Sequence, residues 1–365
     1  MNISAILFSM GFLLLSACLT GAIVRFVLGW ALRNGVIDVP NERSSHERPT
    51  PRGGGLGIVA AVSFLSLIAI GLSRASGIDL GMSAWRLTAA LGGGILVAGV
   101  SWLDDIRHGI HVLLRIAVHL AAAGVAVTAL GGWGKIELPW VIISIPGWAG
   151  FGLAVLWIVG LINAYNFMDG IDGIAGGQAV TASLGWLAVG LMAGSPVLSA
   201  GGALLLGASV GFLFFNWHPA RIFMGDVGSA FLGYSFAILP LLAAQALEPA
   251  VVMRLPVAGL LFVGPFVVDA SATFIRRLAR GEDLYKAHRS HFYQRLVIAG
   301  ASHSRVSALY VALGLLGGLA GTAYLFVLSR GFAASMVLLA LLVTLGIPCA
   351  WVSMGGRQGK IFSAK

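Results

Sequence analysis

Charge is what this chain lacks most. Its 365 residues include 14 Asp and Glu and 23 Lys and Arg, against 58% hydrophobic residues. That balance excludes an ordinary soluble globule, whose surface needs more charge. Many near-uncharged runs approach or exceed the roughly 18 residues that a helix needs to cross the hydrocarbon core. These runs do not alternate polar and apolar residues, which excludes a transmembrane barrel. Cysteine is nearly absent. Cys18 and Cys349 both fall in apolar runs, so neither a disulfide framework nor a thiolate metal centre is expected. No Lys or Arg precedes Arg25, so the first apolar run lacks the basic start of a signal peptide and reads as a membrane helix. No internal repeat is visible, which weakens the case for a transporter built from inverted repeats.

What remains is an all-α polytopic membrane protein, read as one integral-membrane domain over 1–365. About eleven spans account for the pattern, near 4–30, 55–73, 85–103, 112–131, 148–165, 177–193, 199–216, 227–246, 254–277, 304–328 and 332–353. The segment Lys135–Ile145 is too short to cross, and its Pro and β-branched residues predict an extended flap or hairpin on the outer side. Pro256 and Pro265 predict a bend in the ninth span. The runs Gly92-Gly93-Gly94 and Gly317-Gly318 predict close helix packing. Apart from Arg25, Arg74, Arg86, Lys135, Arg254 and Arg330, every Lys and Arg lies in or beside one set of loops: 31–54, 104–111, 166–176, 217–226, 278–303 and the tail after 353. The positive-inside rule makes that side cytoplasmic, with the N-terminus outside and the C-terminus inside. The net charge of +9 is thereby explained by orientation and anionic substrates, not by nucleic acid.

Against this scarcity, five carboxylates fall in three polar breaks on the same side. Asp104 and Asp105 lie in SWLDDIRHG, Asp169 and Asp172 in NAYNFMDGIDGIAGG, and Asp226 in RIFMGDVGSAFLGY. Carboxylates beside a membrane point to a metal ion, a proton path or a cation route. Asn163 and Asn166, and likewise Asp169 and Asp172, are three apart and share a face on a helical turn. Gly170 and Gly173 leave backbone amides open to a ligand. Phe223 offers a stacking surface for a base. Two basic loops complete the set: Asp38 to Gly55, with His46, Arg52 and a glycine run whose amides can hold an anion, and Arg276 to Arg295, with His288, Arg289 and His291. Asp269, four residues after Pro265, suits buried hydrogen bonding and cleft lining equally well.

The ordered segments DVPNERSSHERPTPRGGG, WLDDIRHG, NAYNFMDGIDGIAGG, FMGDVGSAFLG and HRSHFYQRL resemble the polyprenyl-phosphate N-acetylhexosamine-1-phosphate transferases over a motif-bearing core of 38–295. The resemblance implies ten or eleven helices around a cytoplasmic active-site cleft in the bacterial inner membrane. It implies transfer of an N-acetylhexosamine-1-phosphate from a UDP-sugar to undecaprenyl phosphate with release of UMP, dependent on Mg²⁺ with Mn²⁺ as a substitute. By the same likeness Asp226 and Asp169 hold the metal, and Asp104, Asp105, Asp169, His288 and His291 are catalytic. Asn163, Asn166, Gly170, Ile171, Asp172, Phe223, Arg289, Arg52 and His46 bind substrate. Asp172 and Phe223 would face the uridine, Asp104 and Asp105 the lipid phosphate, and the 288–291 loop the sugar or pyrophosphate. Membrane lipid is a partner, nucleic acid is not, and a homodimer is compatible with the resemblance. PTPRGGG, and HRSH where the enzyme that transfers phospho-MurNAc-pentapeptide has a run of three histidines, depart from that enzyme. They point to the branch using N-acetylfucosamine, N-acetylquinovosamine or GlcNAc phosphate for O-antigen and related polymers. The pentapeptide transferase, a cation or sugar-nucleotide transporter and a degenerate assembly partner are the competing readings.

Overall fold

The computed structural model describes residues 3–40, 48–77, 80–107, 109–283 and 288–326, with isolated positions between 335 and 346. Helix α1 (Ile3–Asn34) leads into a two-stranded hairpin, β1 (Ile37–Asp38) antiparallel to β2 (Thr50–Pro51). Three long helices follow: α2 (Gly55–Ser76), α3 (Ala84–Arg107) and α4 (Val112–Leu130). A second hairpin, β3 (Lys135–Glu137) with β4 (Ile142–Ser144), pairs Ile136 with Ile143. Then come α5 (Gly147–Met168), α6 (Ile174–Ala193), α7 (Pro196–Asn216) and α8 (Asp226–Ala246). The chain ends its described course with the short α9 (Pro249–Val252), the pair α10 (Leu255–Phe262) and α11 (Gly264–Ala279), the short α12 (Phe292–Ile298), and α13 (His303–Phe326).

Among the described residues, nine helices (α1 to α8 and α13) are long and apolar enough to cross a membrane. The pair α10–α11 adds a tenth span if it is counted as one. The ten match the first ten expected spans, and the eleventh, 332–353, lies almost wholly outside the described residues. The expected hairpin after α4 forms. It is pinned to the bundle where Nε and Nη2 of Arg254 meet the two carboxylate oxygens of the buried Glu137, each at 3.3 Å, and where the Glu137 amide donates to the Met253 carbonyl at 2.7 Å.

The ninth span is not a gently bent helix but two helices meeting at 84°. Pro256 and Pro265 each stand at the start of one of them. Pro265 has no N–H to give the Leu261 carbonyl and its ring crowds that oxygen, so the ladder stops there. Gly317 of α13 lets another backbone close on the same carbonyl: a Cβ on Gly317 would lie 2.2 Å from it.

Helix α8 is the enclosed centre of the bundle, and small residues let its neighbours approach. A Cβ on Gly93 of α3 would lie 2.1 Å from the Tyr234 hydroxyl, which donates instead to the Ala90 carbonyl at 2.9 Å. Gly233 faces the Leu161 carbonyl of α5 in the same way, and Trp157 of α5 donates to the Ala237 carbonyl at 3.0 Å. In hydrocarbon, where lipid tails are as apolar as leucine, such close approach is what holds helices together. Its consequence for the site is positional. The first residue of α8, Asp226, emerges among the ends of α2, α3 and α5.

Candidate active site

Backbone contacts bring the first basic loop to the start of α8. The Phe223 amide donates to the Pro51 carbonyl at 2.8 Å, and the Gly54 and Gly55 amides donate to the carbonyls of Phe223 and Met224 at 2.9 and 2.8 Å. A Cβ on Gly55 would lie 2.3 Å from the Gly228 Cα. The glycine run that was expected to offer amides to an anion therefore spends two of them on a backbone-to-backbone splice. Its work is to set Arg52 beside Asp226. Gly225 carries φ +76°, and a Cβ there would meet the Asp105 carboxylate at 2.7 Å, so the turn into α8 requires glycine twice over.

Asp105, buried at the end of α3, receives the first amides of α8. Its Oδ1 accepts from the Asp226 amide at 3.1 Å and its Oδ2 from the Val227 amide at 3.0 Å. A helix start leaves such donors without intrahelical partners and carries partial positive charge, so a carboxylate there is stabilising. Two arginines then tie three carboxylates into a chain. Arg52 reaches Asp105 at 3.1 Å and Asp226 at 3.4 Å, while Arg115 reaches Asp226 at 3.2 Å and Asp104 at 2.7 Å. Asp104 also accepts from the Ile110 amide at 2.6 Å.

Asp169 ends α5 beside this chain. No hydrogen bond to its carboxyl is found among the described residues. Burial, and next the Asp226 carboxylate, push that carboxyl up to about 7, with Arg52 opposing. Burial is the larger cause and the Asp226 charge adds to it, so a cation beside both carboxylates would relieve the second. Hard oxygen donors of this kind suit Mg²⁺, which keeps waters and phosphate oxygens as its other ligands. Asp226 and Asp169 are the carboxylates here that could hold such an ion. From α5, Asn166 donates to Ser229 at 3.2 Å and so joins the α8 end, whereas Asn163 bonds back to its own helix at the Val159 carbonyl, 2.7 Å away.

A second cluster forms around Asp172. His218 Nδ1 lies 2.6 Å from its Oδ2, the Ala220 amide donates to the same oxygen at 3.1 Å, and His303 Nδ1 lies 3.6 Å from Oδ1. Burial alone would raise this carboxyl, but the bonds from His303, His218 and Ala220 outweigh it and hold it below the ordinary range. In the last loop the buried Asp269 accepts from the Phe292 and Tyr293 amides at 2.8 and 3.1 Å, from Tyr310 at 2.6 Å and from Thr273 at 3.2 Å, with His291 Nδ1 at 3.3 Å. Of the two roles open to Asp269, buried hydrogen bonding is the one it performs. It seats α12, and Tyr293 then donates to the Phe167 carbonyl at 3.1 Å, carrying the loop to the end of α5.

The chain matches glycosyl transferase family 4 over residues 87–244. It is 36% identical over 292 residues to the probable undecaprenyl-phosphate N-acetylglucosaminyl 1-phosphate transferase of Bacillus subtilis, covering 78% of this chain and 75% of that one. It is 32% identical over 328 residues to the decaprenyl-phosphate N-acetylglucosaminephosphotransferase of Mycobacterium tuberculosis, covering 81% of this chain and 79% of that one. A phospho-N-acetylmuramoyl-pentapeptide-transferase of Chlamydia muridarum is 36% identical over 179 residues, covering 43% of this chain and 53% of that one. The chain belongs to the polyprenyl-phosphate N-acetylhexosamine-1-phosphate transferases.

In this family 4 chain, the structure brings together Asp104, Asp105, Asp226, Arg52 and Asp169, with Asn166 bonded to Ser229 at the same end of α8. Phe223 joins them through its backbone, while its ring is half-buried. Ile171 is buried in the apolar core, so it can meet a ligand only through its main chain. Gly170 has Tyr293 packed over it: a Cβ would lie 2.0 Å from the Tyr293 hydroxyl. His291 is buried against Asp269, and His288 pairs with Ser290 at 2.9 Å, their rings 5.1 Å apart from centre to centre for His288 and His291. Arg289 lies between these two histidines in the chain, and His46 lies outside the described residues. Sequence reasoning passed over Arg115, His218 and His303. Arg115 looked like a positive-inside anchor, and nothing in the chain joins His218 to His303.

Proposed function

We propose that the protein transfers an N-acetylhexosamine-1-phosphate from a UDP-sugar to a polyprenyl phosphate, releasing UMP and forming a lipid-linked pyrophosphoryl sugar. The observation that carries this is the pair of arginines at the start of α8, each shared between two carboxylates. Arg52 and Arg115 are not locked to one partner. Either can turn a guanidinium edge to phosphate while a carboxylate keeps it in place.

The reaction brings two anionic phosphates together. An oxygen of the acceptor phosphate forms a bond to the phosphorus that carries the sugar. The bond from that phosphorus to the bridging oxygen breaks, and UMP leaves with that oxygen. Because the acceptor phosphate is already substantially ionised at neutral pH, no strong base is required, and Asp104 orients it through Arg115 instead. Mg²⁺ held by Asp226 and Asp169 would offset the charge that develops on the leaving phosphate. Asp105 holds the helix start, and so Asp226, in register. Asp172 and Phe223 take the uridine, and His288, Arg289 and His291 the sugar or pyrophosphate.

The basic loops and the carboxylates lie at one end of the bundle, which supports a cytoplasmic site in the inner membrane with the N-terminus outside. The names of the relatives favour GlcNAc phosphate as the first donor to try, with N-acetylfucosamine and N-acetylquinovosamine next. The product would start O-antigen or a related surface polysaccharide. The test is purified protein given undecaprenyl phosphate, Mg²⁺ and a panel of UDP-N-acetylhexosamines, with the lipid product read by mass spectrometry. No lipid-linked sugar from any donor would sink the reading. Uptake of sugar nucleotide into vesicles without transfer would favour a transporter.

A further inference from the structure

At the end of the bundle away from the arginines and carboxylates, four helices do not close on one another. A cavity of about 140 Å³ lies between α2, α3, α7 and α8, with Ile70, Leu87, Leu91, Val197, Ile238 and Leu242 among its walls. The hydroxyls on its α8 wall are spent: Tyr234 donates to the Ala90 carbonyl at 2.9 Å and Ser235 to the Phe231 carbonyl at 2.7 Å. An apolar space of this size stays dry and takes hydrocarbon. Along α8, Ile238 stands about 18 Å from Asp226, which puts the cavity within the far half of a hydrocarbon layer about 30 Å thick. Ile70, Leu91 and Val197 are only half-buried, so the cavity is reached from the bundle surface, where acyl chains lie.

A cation stands over this cavity. Arg86 lies one turn before Ala90 on α3, and Gln245 one turn after Leu242 on α8, so the two continue its walls toward the far end. The Arg86 guanidinium donates to the Gln245 side-chain oxygen, and Gln245 donates on to the Leu130 carbonyl at 2.6 Å. That partner is neutral. Arg254, at the same end, has the Glu137 carboxylate, but among the described residues no carboxylate pairs with Arg86. Glu248, the next acidic residue after Gln245, is exposed and forms no ion pair with it. The buried Nε of Arg86 has no hydrogen-bond partner among the described residues. A buried N–H left unmade is costly, and one amide oxygen cannot fill five donors. Beside it the exposed Trp85, its ring 5.6 Å from the guanidinium, marks the level where aromatic residues meet lipid headgroups.

We propose that an anionic phospholipid of the leaflet opposite the arginine and carboxylate cluster binds here, with one acyl chain in the cavity and its phosphate on Arg86. The negative headgroup follows from a guanidinium paired only with an amide, since a zwitterionic lipid brings an ammonium of its own. The polyprenyl phosphate acceptor is a different lipid. Its phosphate is needed at Arg52 and Arg115, and Gln245 stands roughly 28 Å from Asp226 along α8. A lipid that binds only the folded bundle stabilises it, here by filling the gap between the helices that carry Asp104, Asp105 and Asp226. The site does not depend on the proposed transfer reaction.

The experiment is native mass spectrometry of the purified full chain in detergent. The probes are phosphatidylglycerol, phosphatidylethanolamine with the same chains, and undecaprenyl phosphate. Wild-type protein should bind one phosphatidylglycerol about tenfold more tightly than phosphatidylethanolamine, the worth of one hydrogen bond to a charged group. Phosphatidylglycerol should also raise its Tm more than phosphatidylethanolamine does. Arg86→Gln should erase the preference, and Arg86→Lys, which keeps the charge but not the fork, should hold part of it. Ala69→Leu, which adds bulk to the cavity wall, should weaken both phospholipids alike, and it carries the test if Arg86→Gln does not fold. Equal affinity for the two phospholipids, or a preference that survives Arg86→Gln, would overturn the inference. So would phosphatidylglycerol binding untouched by Ala69→Leu. Undecaprenyl phosphate that displaces phosphatidylglycerol one for one, and that Ala69→Leu also weakens, would give the cavity to the polyprenyl tail and overturn it too.

Discussion

Asp226 and Asp269 are both acidic groups set into an apolar bundle, and they are served in opposite ways. Asp269 takes two backbone amides, a tyrosine and a threonine, with a histidine beside them. Among the described residues the Asp226 carboxylate is met only by arginines, at 3.4 and 3.2 Å, and each arginine is shared with another carboxylate. A carboxylate whose lone pairs are filled by fixed donors is part of the scaffold. One held by shared arginines beside a raised neighbour such as Asp169 suits the exchange of partners with a metal ion and phosphate that the proposed function requires.

That contrast can be broken most directly at its two poles. Asp226→Asn should lower turnover on the order of 10³-fold while UDP affinity stays within a few fold, as turnover assays and calorimetry will read. Turnover like that of the wild type would remove the metal assignment. Asp269→Ala should act on stability instead: its orphaned donors cost about 3 kcal/mol, seen as a lower Tm in detergent. An unchanged Tm would erase the distinction between the two carboxylates.

Arg115→Ala should cost about 10²-fold in turnover, with Arg115→Lys recovering part, because lysine restores the charge but not the planar fork. Full activity in Arg115→Lys would mean that only charge counts there. Gly170→Ala, which drives a methyl toward the Tyr293 hydroxyl, should cost about 1–3 kcal/mol by thermal melting.

The last test concerns the raised carboxyl. Asp169 binds its proton more tightly when folded than when unfolded, so with the metal chelated, stability should fall as pH rises from about 4 to about 7. Mg²⁺, which binds the ionised form, should offset that loss increasingly toward and above pH 7. Asp169→Asn should flatten both trends in melts at pH 5 and pH 8, and an unaltered slope would detach Asp169 from the metal region.

The spans were legible because hydrocarbon demands long uncharged runs and closes every backbone hydrogen bond within them. The acidic breaks stood out for the same reason, since each carboxylate near a membrane is costly and rarely idle. The glycine run after Arg52 was legible as important but not in its role. Whether an amide faces a ligand or another carbonyl depends on what folds against it. Pro265 foretold a bend in the ninth span, but not its 84° angle or the close approach of Gly317 of α13 to the Leu261 carbonyl.

What the sequence by itself determined is the membrane architecture, the family and the inventory of charged groups on one face. Those follow from composition and order along the chain. What only the tertiary structure decided is the division of labour among those groups. Asp105 caps a helix, Asp269 seats another, Asp172 is clamped by histidines 46 residues and more away in the chain, and Arg115 joins Asp104 to Asp226. The chemical role of a carboxylate is set by the donors around it, and those arrive from segments whose meeting no local pattern records.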